Sequence, residues 1–419
     1  MSKMFNKYYS DLQNIKIFPD IFLGIFLCLV FAGCFFLDTS PHRICLYITF
    51  VSGLFFVNSK QSWHEAFLIK DSLFLMTIAF IGYTLLSLFW SENMDYGDLW
   101  GKIKPAIFIP LSIVLYAFYI KSYPAAQSLL IELFLLSAAI TATILLIISI
   151  NEIITPHTNT LTMWRLEGFG RAHNSNLAGL LYGVALLCFL FFKPKALAIF
   201  HNKLFRIFCI LVVTAAFTLT LSRGAFIGFI GAFILSICVK LYTTKNIDRK
   251  AIALTVVTIL SLSFALIVVF PDITEYMVNR GATGRIEIWM MALEQYKESP
   301  WIGRGIGTEF TYNIPHPYLP ISVGHVHSLY FSTLLHLGII GSVLFLTLLV
   351  SVWFRAAKYA ITTQDYTLLL IISYGYVFGL VDFGGYYKSL SNSWIVFWIP
   401  VAILIARQEI HMKSKQNTL

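Results

Sequence analysis

Apolar runs close to the length of a bilayer crossing follow one another through most of this chain of 419 residues. About 20 predominantly apolar residues cross a membrane as a helix. With 58% hydrophobic and 12% charged residues, and a mean hydropathy of +0.76, a water-soluble fold of this size would have far more apolar surface than it could bury. The pattern predicts an all-α polytopic membrane protein forming one integral membrane unit over residues 1–419. Candidate spans run over 20–37, 43–58, 71–90, 103–120, 127–150, 173–192, 205–221, 225–242, 251–270, 327–353, 367–384 and 390–407, about 12 in all. The six cysteines lie in apolar runs without metal-ligand spacing and read as small core residues.

The net charge of +9 reads as loop charge that sets orientation, not as nucleic-acid binding. With both termini in the cytoplasm, 19 of the 30 Lys and Arg residues fall on cytoplasmic segments. The other eleven fall outside: Arg43, Lys102, Lys104, Arg165, Arg171, Arg223, Arg280, Arg285, Lys297, Arg304 and Lys388. Seven of these cluster in segments 151–172, 222–224 and 271–326. Cations kept where the topology rule disfavours them suggest anion binding on the outer side, which in a bacterial cell is the periplasm.

Segment 271–326, between the ninth and tenth spans, is the one long polar interruption. Thr283 can cap a helix over about 284–298, with Ile286, Trp289, Met290, Leu293 and Tyr296 along one apolar face. Arg280 and Arg285 flank its start, where the helix dipole also favours an anion. Guanidinium forks match phosphate geometry. Gly303-Arg304-Gly305-Ile306-Gly307 is half a dinucleotide fingerprint, but no strand precedes it, and it reads as a flexible turn. His325 and His327 close the loop. In the first helical turn beside arginines, His327 is expected to be neutral and fit to act as a general base; capping the helix or bonding a lipid headgroup are equally open roles. A metal set of His316, His325 and His327 is disfavoured because no carboxylate is expected close by.

Two further segments carry outer cations. Ser222-Arg223-Gly224 interrupts a long apolar stretch and reads as a hairpin tip, with Arg223 either functional or snorkelling to headgroups. Arg165 and Arg171 lead through His173 to Asn174 and Asn176 at the start of the sixth span. This is either a donor-rich site for phosphate or sugar hydroxyls, or an ordinary polar loop with a capping Asn. No pair of outer carboxylates suited to a divalent cation is apparent. Chemistry on a phosphorylated donor without metal or other cofactor is therefore expected, with arginines neutralising the charge.

These motifs occur in a telling order: Arg165-Leu-Glu-Gly with Asn174-Ser-Asn176, Ser222-Arg223-Gly224, Gly284-Arg285 with Trp289, Pro300 and Gly303-Arg-Gly305, then His327-Ser-Leu-Tyr with Leu337-Gly338-Ile-Ile-Gly341. Over about residues 160–345 the chain resembles the O-antigen ligase family, within a superfamily that also holds O-antigen polymerases and protein O-oligosaccharyltransferases. The resemblance implies a GT-C-like fold and a periplasmic, inverting, metal-independent transfer. The donor would be a glycan on undecaprenyl pyrophosphate and the acceptor a sugar hydroxyl of lipid A–core, both met among membrane lipids. By position, Arg223 and Arg285 would bind pyrophosphate, with Arg280 a second candidate for the role of Arg285. His327 would activate the acceptor, supported by Arg165, Arg171, Asn174 and His325. The short basic tail after the last span favours a ligase over a protein transferase. A transporter of anionic lipid or solute is disfavoured because the span centres lack Lys and Arg.

Overall fold

The computed structural model describes residues 19–59, 71–92, 96–154, 165–243, 284–314 and 321–416. The ninth expected span (251–270), Arg280, Thr283 and His316 lie outside the described residues. Helices occupy the other expected spans: α1 Pro19–Ala32, α2 Thr39–Ser59, α3 Ser72–Leu86, α4 Leu99–Ser122, α5 Ala126–Ile154, α6 Ser175–Phe191, α7 Lys203–Leu219 and α8 Arg223–Thr243. After α9, Arg285–Tyr296, come α10 Leu329–Thr363, α11 Thr367–Val381 and α12 Ile399–Gln416, the last entered through a π turn at Trp394–Trp398. Among the described residues, five helical segments are long and apolar enough to cross a membrane, and five further apolar segments span 10–17 residues. Two short strands, β1 Tyr312–Ile314 and β2 Ile321–Val323, pair antiparallel with Tyr312 opposite Val323.

Close packing of α6, α8 and α11 depends on missing side chains. Methyl groups on Gly228 and Gly231 would come within 2.8 and 2.9 Å of Tyr374 and Val377. Small residues let helix backbones approach where hydrophobicity alone gives no driving force. The Tyr374 hydroxyl uses that proximity to donate to the Gly179 carbonyl at 2.9 Å. The turn that carries Arg223 is thereby held against α6, where a Cβ on Gly179 would meet Ser222 and Thr220.

The α10 helix is broken at Gly338 (φ 64°, ψ −164°), a conformation open essentially to glycine. The break frees backbone groups that an apolar environment would leave unpaired at a cost of several kcal/mol each. Segment Pro300–Gly305 supplies their partners. Arg304 and Gly305 N–H donate to the Leu335 and His336 carbonyls at 3.0 and 2.9 Å, while Ile339 and Ile340 N–H donate to Pro300 and Trp301 at 2.9 and 3.1 Å. Arg304 also bonds Glu92 and Gln295, each at 2.8 Å. The glycine-rich run expected to be a flexible turn is thus a fitted splint, because a broken helix needs four specific partners.

The α9 helix also departs from expectation. Its N-cap is Gly284, at φ 71° and without a side-chain cap. It buries Ile288 and Ala292 against Phe310, Val326 and Leu335, while Ile286 and Met290 stay exposed. The small Ala292 lets the helix seat closely, and Trp289 joins both faces, stacking on Phe331 at 5.3 Å and donating to the Val326 carbonyl at 3.1 Å.

Alternate inter-helix connections gather at two poles. At one pole the polar groups are mutually satisfied: Asp71 caps α3 and pairs with Arg355 at 2.7 Å, Arg206 donates to the Phe189 carbonyl at 2.6 Å, and Glu132 accepts from the Ala196 N–H at 2.8 Å. The other pole holds Arg43, Lys102 and Arg223, near the starts of α2, α4 and α8. Gly338→Ala should lower thermal stability in detergent markedly: the left-handed φ alone costs about 1–3 kcal/mol, and the new methyl would lie 2.5 Å from Trp301 and Gly303 backbone. A melting temperature equal to wild type would contradict the splint.

Candidate functional site

Three remote segments meet at Asp382, just past the C-terminus of α11. Its Oδ2 lies 3.1 Å from Nη2 of Arg285, the first residue of α9. Its Oδ1 lies 3.3 Å from Nδ1 of His327. The start of α8 completes the group, since a methyl on Gly224 would stand 3.8 Å from Asp382 Cβ and 3.1 Å from Val381. Arg223 is half-buried there. Sequence reasoning missed Asp382. The available signal was a lone acidic residue at the end of an apolar span, followed by Gly384 and Gly385; an ionisable group at such a place is costly unless it has a purpose. Contrary to the expectation that no carboxylate stands close to the histidines, Asp382 does, brought there from the end of α11. His325, His327 and Asp382 still do not make a metal-ligating set among the described residues.

His327 does not sit in the first helical turn. It precedes the N-cap Ser328 and has φ 52°. Left-handed backbone at a non-glycine residue costs about 1–3 kcal/mol and gathers at functional sites. Leu221 (φ 48°), two residues before Arg223, shares the feature. A carboxylate can only accept, so Asp382 selects the tautomer with hydrogen on Nδ1 and leaves Nε2 as a lone-pair acceptor. His325 packs edge-on against His327, with ring centroids 3.7 Å apart. Burial, then the neighbouring His327 and Lys388, hold the His325 pKa below the ordinary imidazole range.

Arg165 is placed as a brace. Its Nε donates to the Thr220 carbonyl at 3.1 Å and its Nη2 to Asn176 at 3.0 Å, tying the strained Thr220–Ser222 turn to α6. Asn174 caps α6, accepting from Asn176 N–H at 2.8 Å. Arg171 stands apart from Arg223 and Arg285, donating to Thr39 at 2.9 Å and to the Leu390 carbonyl at 2.6 Å.

Arg171 lines a half-open cavity of about 910 Å³, together with His325 and Asp382. Arg43, Lys102, Lys104 and Lys388, the four outer cations left over from the three segments, line it too. Loop 382–393 forms one wall. The Trp394 and Trp398 indoles donate to the Lys388 and Tyr386 carbonyls at 3.0 Å each. Tyr387 donates to the Lys102 carbonyl at 2.8 Å and Asn392 to the Arg171 carbonyl at 3.0 Å.

A family model described as O-antigen ligase matches residues 207–346. That interval carries Arg223, Arg285 and His327 and stops short of Asp382. An O-antigen ligase of Pseudomonas aeruginosa is 24% identical over 387 residues, covering 86% of this chain and 89% of that protein. The motif order, the match over residues 207–346 and the full-length relative agree: this integral membrane chain is similar to O-antigen ligases, which are enzymes.

Proposed function

We propose that the protein transfers an O-antigen glycan from undecaprenyl pyrophosphate to a sugar hydroxyl of lipid A–core, on the periplasmic side of the inner membrane. The observation that carries this reading is the Asp382 junction, where one carboxylate orients His327 and meets Arg285. The acceptor hydroxyl donates to Nε2 of His327, and its oxygen attacks the anomeric carbon. A bond from that oxygen to the carbon forms as the carbon–oxygen bond to pyrophosphate breaks, with inversion. The proton moves to Nε2, and Asp382 stabilises the imidazolium that results. The leaving undecaprenyl pyrophosphate keeps the electron pair. Its growing charge is met by Arg223 and Arg285, so the arginines supply charge neutralisation without a metal. Arg285 presents Nη2 to Asp382 and retains further N–H donors for phosphate oxygens. Arg165 and Asn174 serve by bracing, and His325 supports the base.

The transfer parallels the name of the Pseudomonas aeruginosa relative, which favours a ligase over a polymerase or a protein transferase. Domain organisation is read in the same way: one membrane unit, with segment 271–326 as an outer arm whose helix delivers Arg285.

His327→Ala should lower the rate of glycan transfer to lipid A–core by about 10²–10⁴-fold, the usual weight of a general base, while undecaprenyl-pyrophosphate binding persists. Full transfer activity at normal membrane levels would remove His327 from the mechanism. Asp382→Asn should fall in the same range, because Asn can present its amide N–H₂ to Nδ1 and turn the tautomer over. Arg223→Ala and Arg285→Ala should each weaken donor binding by about 10–100-fold, the value of hydrogen bonds to a charged group. Unchanged donor affinity in both would refute their role. Transfer should persist in the presence of a chelator.

A further inference from the structure

Beside the Asp382 junction lies a second concentration of positive charge that the transfer step does not use. Lys102 comes from the first turn of α4, Arg43 and Lys104 from the second turns of α2 and α4, Arg171 from the 3₁₀ turn before α6, and Lys388 from loop 382–393. All five line the cavity of about 910 Å³; Arg223 and Arg285 do not. Among the described residues three carboxylates also line it, Asp98, Glu309 and Asp382, and Asp382 is committed to Arg285 and His327. Among the described residues, the one carboxylate paired with any of the five is Asp98, 3.9 Å from Lys102 and largely exposed.

The cations therefore press on one another. Burial, then Arg43, lowers the Arg171 pKa, and burial, then Arg171 and Lys102, lowers that of Lys388. Like charges held close in a partly buried wall favour an anion between them. The size of the cavity fits more than a bare phosphate, since sites of about 300–1,000 Å³ take whole organic ligands. Its remaining wall offers hydroxyl, amide and aromatic groups from Ser389, Ser391, Asn392 and Tyr47, the partners a saccharide uses. Gly384 joins the two regions. A methyl there would meet Lys388 Nζ at 3.0 Å and the His325 ring at 3.1 Å, so the bare glycine leaves that junction open.

We propose that Arg43, Lys102, Lys104, Arg171 and Lys388 form a second anion subsite, on the acceptor side of His327, which binds phosphate carried by the acceptor saccharide. The subsite selects acceptors and sets the reach of their hydroxyl to Nε2, while Arg223 and Arg285 handle the donor. It rests on the donor and acceptor assignment proposed above, yet its test needs no transfer.

Full-length protein in lipid nanodiscs would be titrated with deacylated, phosphorylated core oligosaccharide and with the same oligosaccharide after hydrogen-fluoride dephosphorylation. The phosphorylated form should bind about ten-fold or more tighter, as hydrogen bonds to a charged group require. The preference should collapse in Lys102→Gln/Lys104→Gln and, separately, in Arg43→Gln; these positions near helix starts are partly or fully exposed, which spares the fold. It should survive in His327→Ala and in the presence of saturating undecaprenyl pyrophosphate. Equal affinity for the two oligosaccharides, a preference retained in both variants, or displacement by undecaprenyl pyrophosphate would each overturn the subsite. Loss of transfer in wild type with the binding preference intact would instead overturn the transfer reading alone.

Discussion

Asp382 meets two opposed groups with its two oxygens, Nη2 of Arg285 at 3.1 Å and Nδ1 of His327 at 3.3 Å. A carboxylate largely buried at the end of an apolar helix costs several kcal/mol unless its charge is matched. The match comes from α9, so the placement of Asp382 depends on the docking of that helix. Docking in turn rests on Ile288 and Ala292 against Val326 and Leu335, next to the histidines. The left-handed backbone at His327 is held by the same contacts, since Trp289 bonds the preceding carbonyl. Removing the carboxylate would leave a half-buried guanidinium and an unoriented imidazole together.

The two poles show what charge is for in this protein. At the pole of Asp71, Glu132 and Arg355, charged groups are spent on one another and on helix ends, as stability requires. At the opposite pole, among the described residues, the arginines and lysines outnumber the carboxylates around an open cavity. Of the three non-glycine residues with left-handed backbone among the described residues, Leu221 and His327 fall at this pole, while Gln364 ends α10 beyond Arg355. Strained backbone and perturbed charge gather at functional sites, which is the reading proposed for this pole.

Much of this was legible in the chain, and the failures share one cause. Hydropathy located the apolar helices because burial in lipid is read along the sequence, with a period set by the bilayer. Arg223 stood out as a cation within an apolar stretch, and Arg285 and His327 because they lie in or close the one long polar interruption between apolar runs. Asp382 and the cavity cations escaped because their meaning lies in neighbours from other helices. Arg43, Lys102, Lys104 and Lys388 each look like ordinary loop charge until α2, α4 and loop 382–393 bring them together. The face of α9 was misjudged for a related reason: periodicity scores bulk, while docking chose the smaller Ala292. Gly303 to Gly307 looked flexible because glycine is permissive in isolation, and the partner that restricts it lies more than thirty residues later.

That partner relationship constrains the lineage as well as the molecule. Gly303 and Gly338 face each other so closely that a Cβ on either would lie 2.4–2.5 Å from the backbone of the other's segment. Neither clash can be relieved by a substitution at the opposite position, because no residue is smaller than glycine. Compensated exchange, the ordinary route by which contacting pairs drift, is closed to them. Descendants of this chain can keep both glycines, or must abandon the broken helix and the splint as a unit.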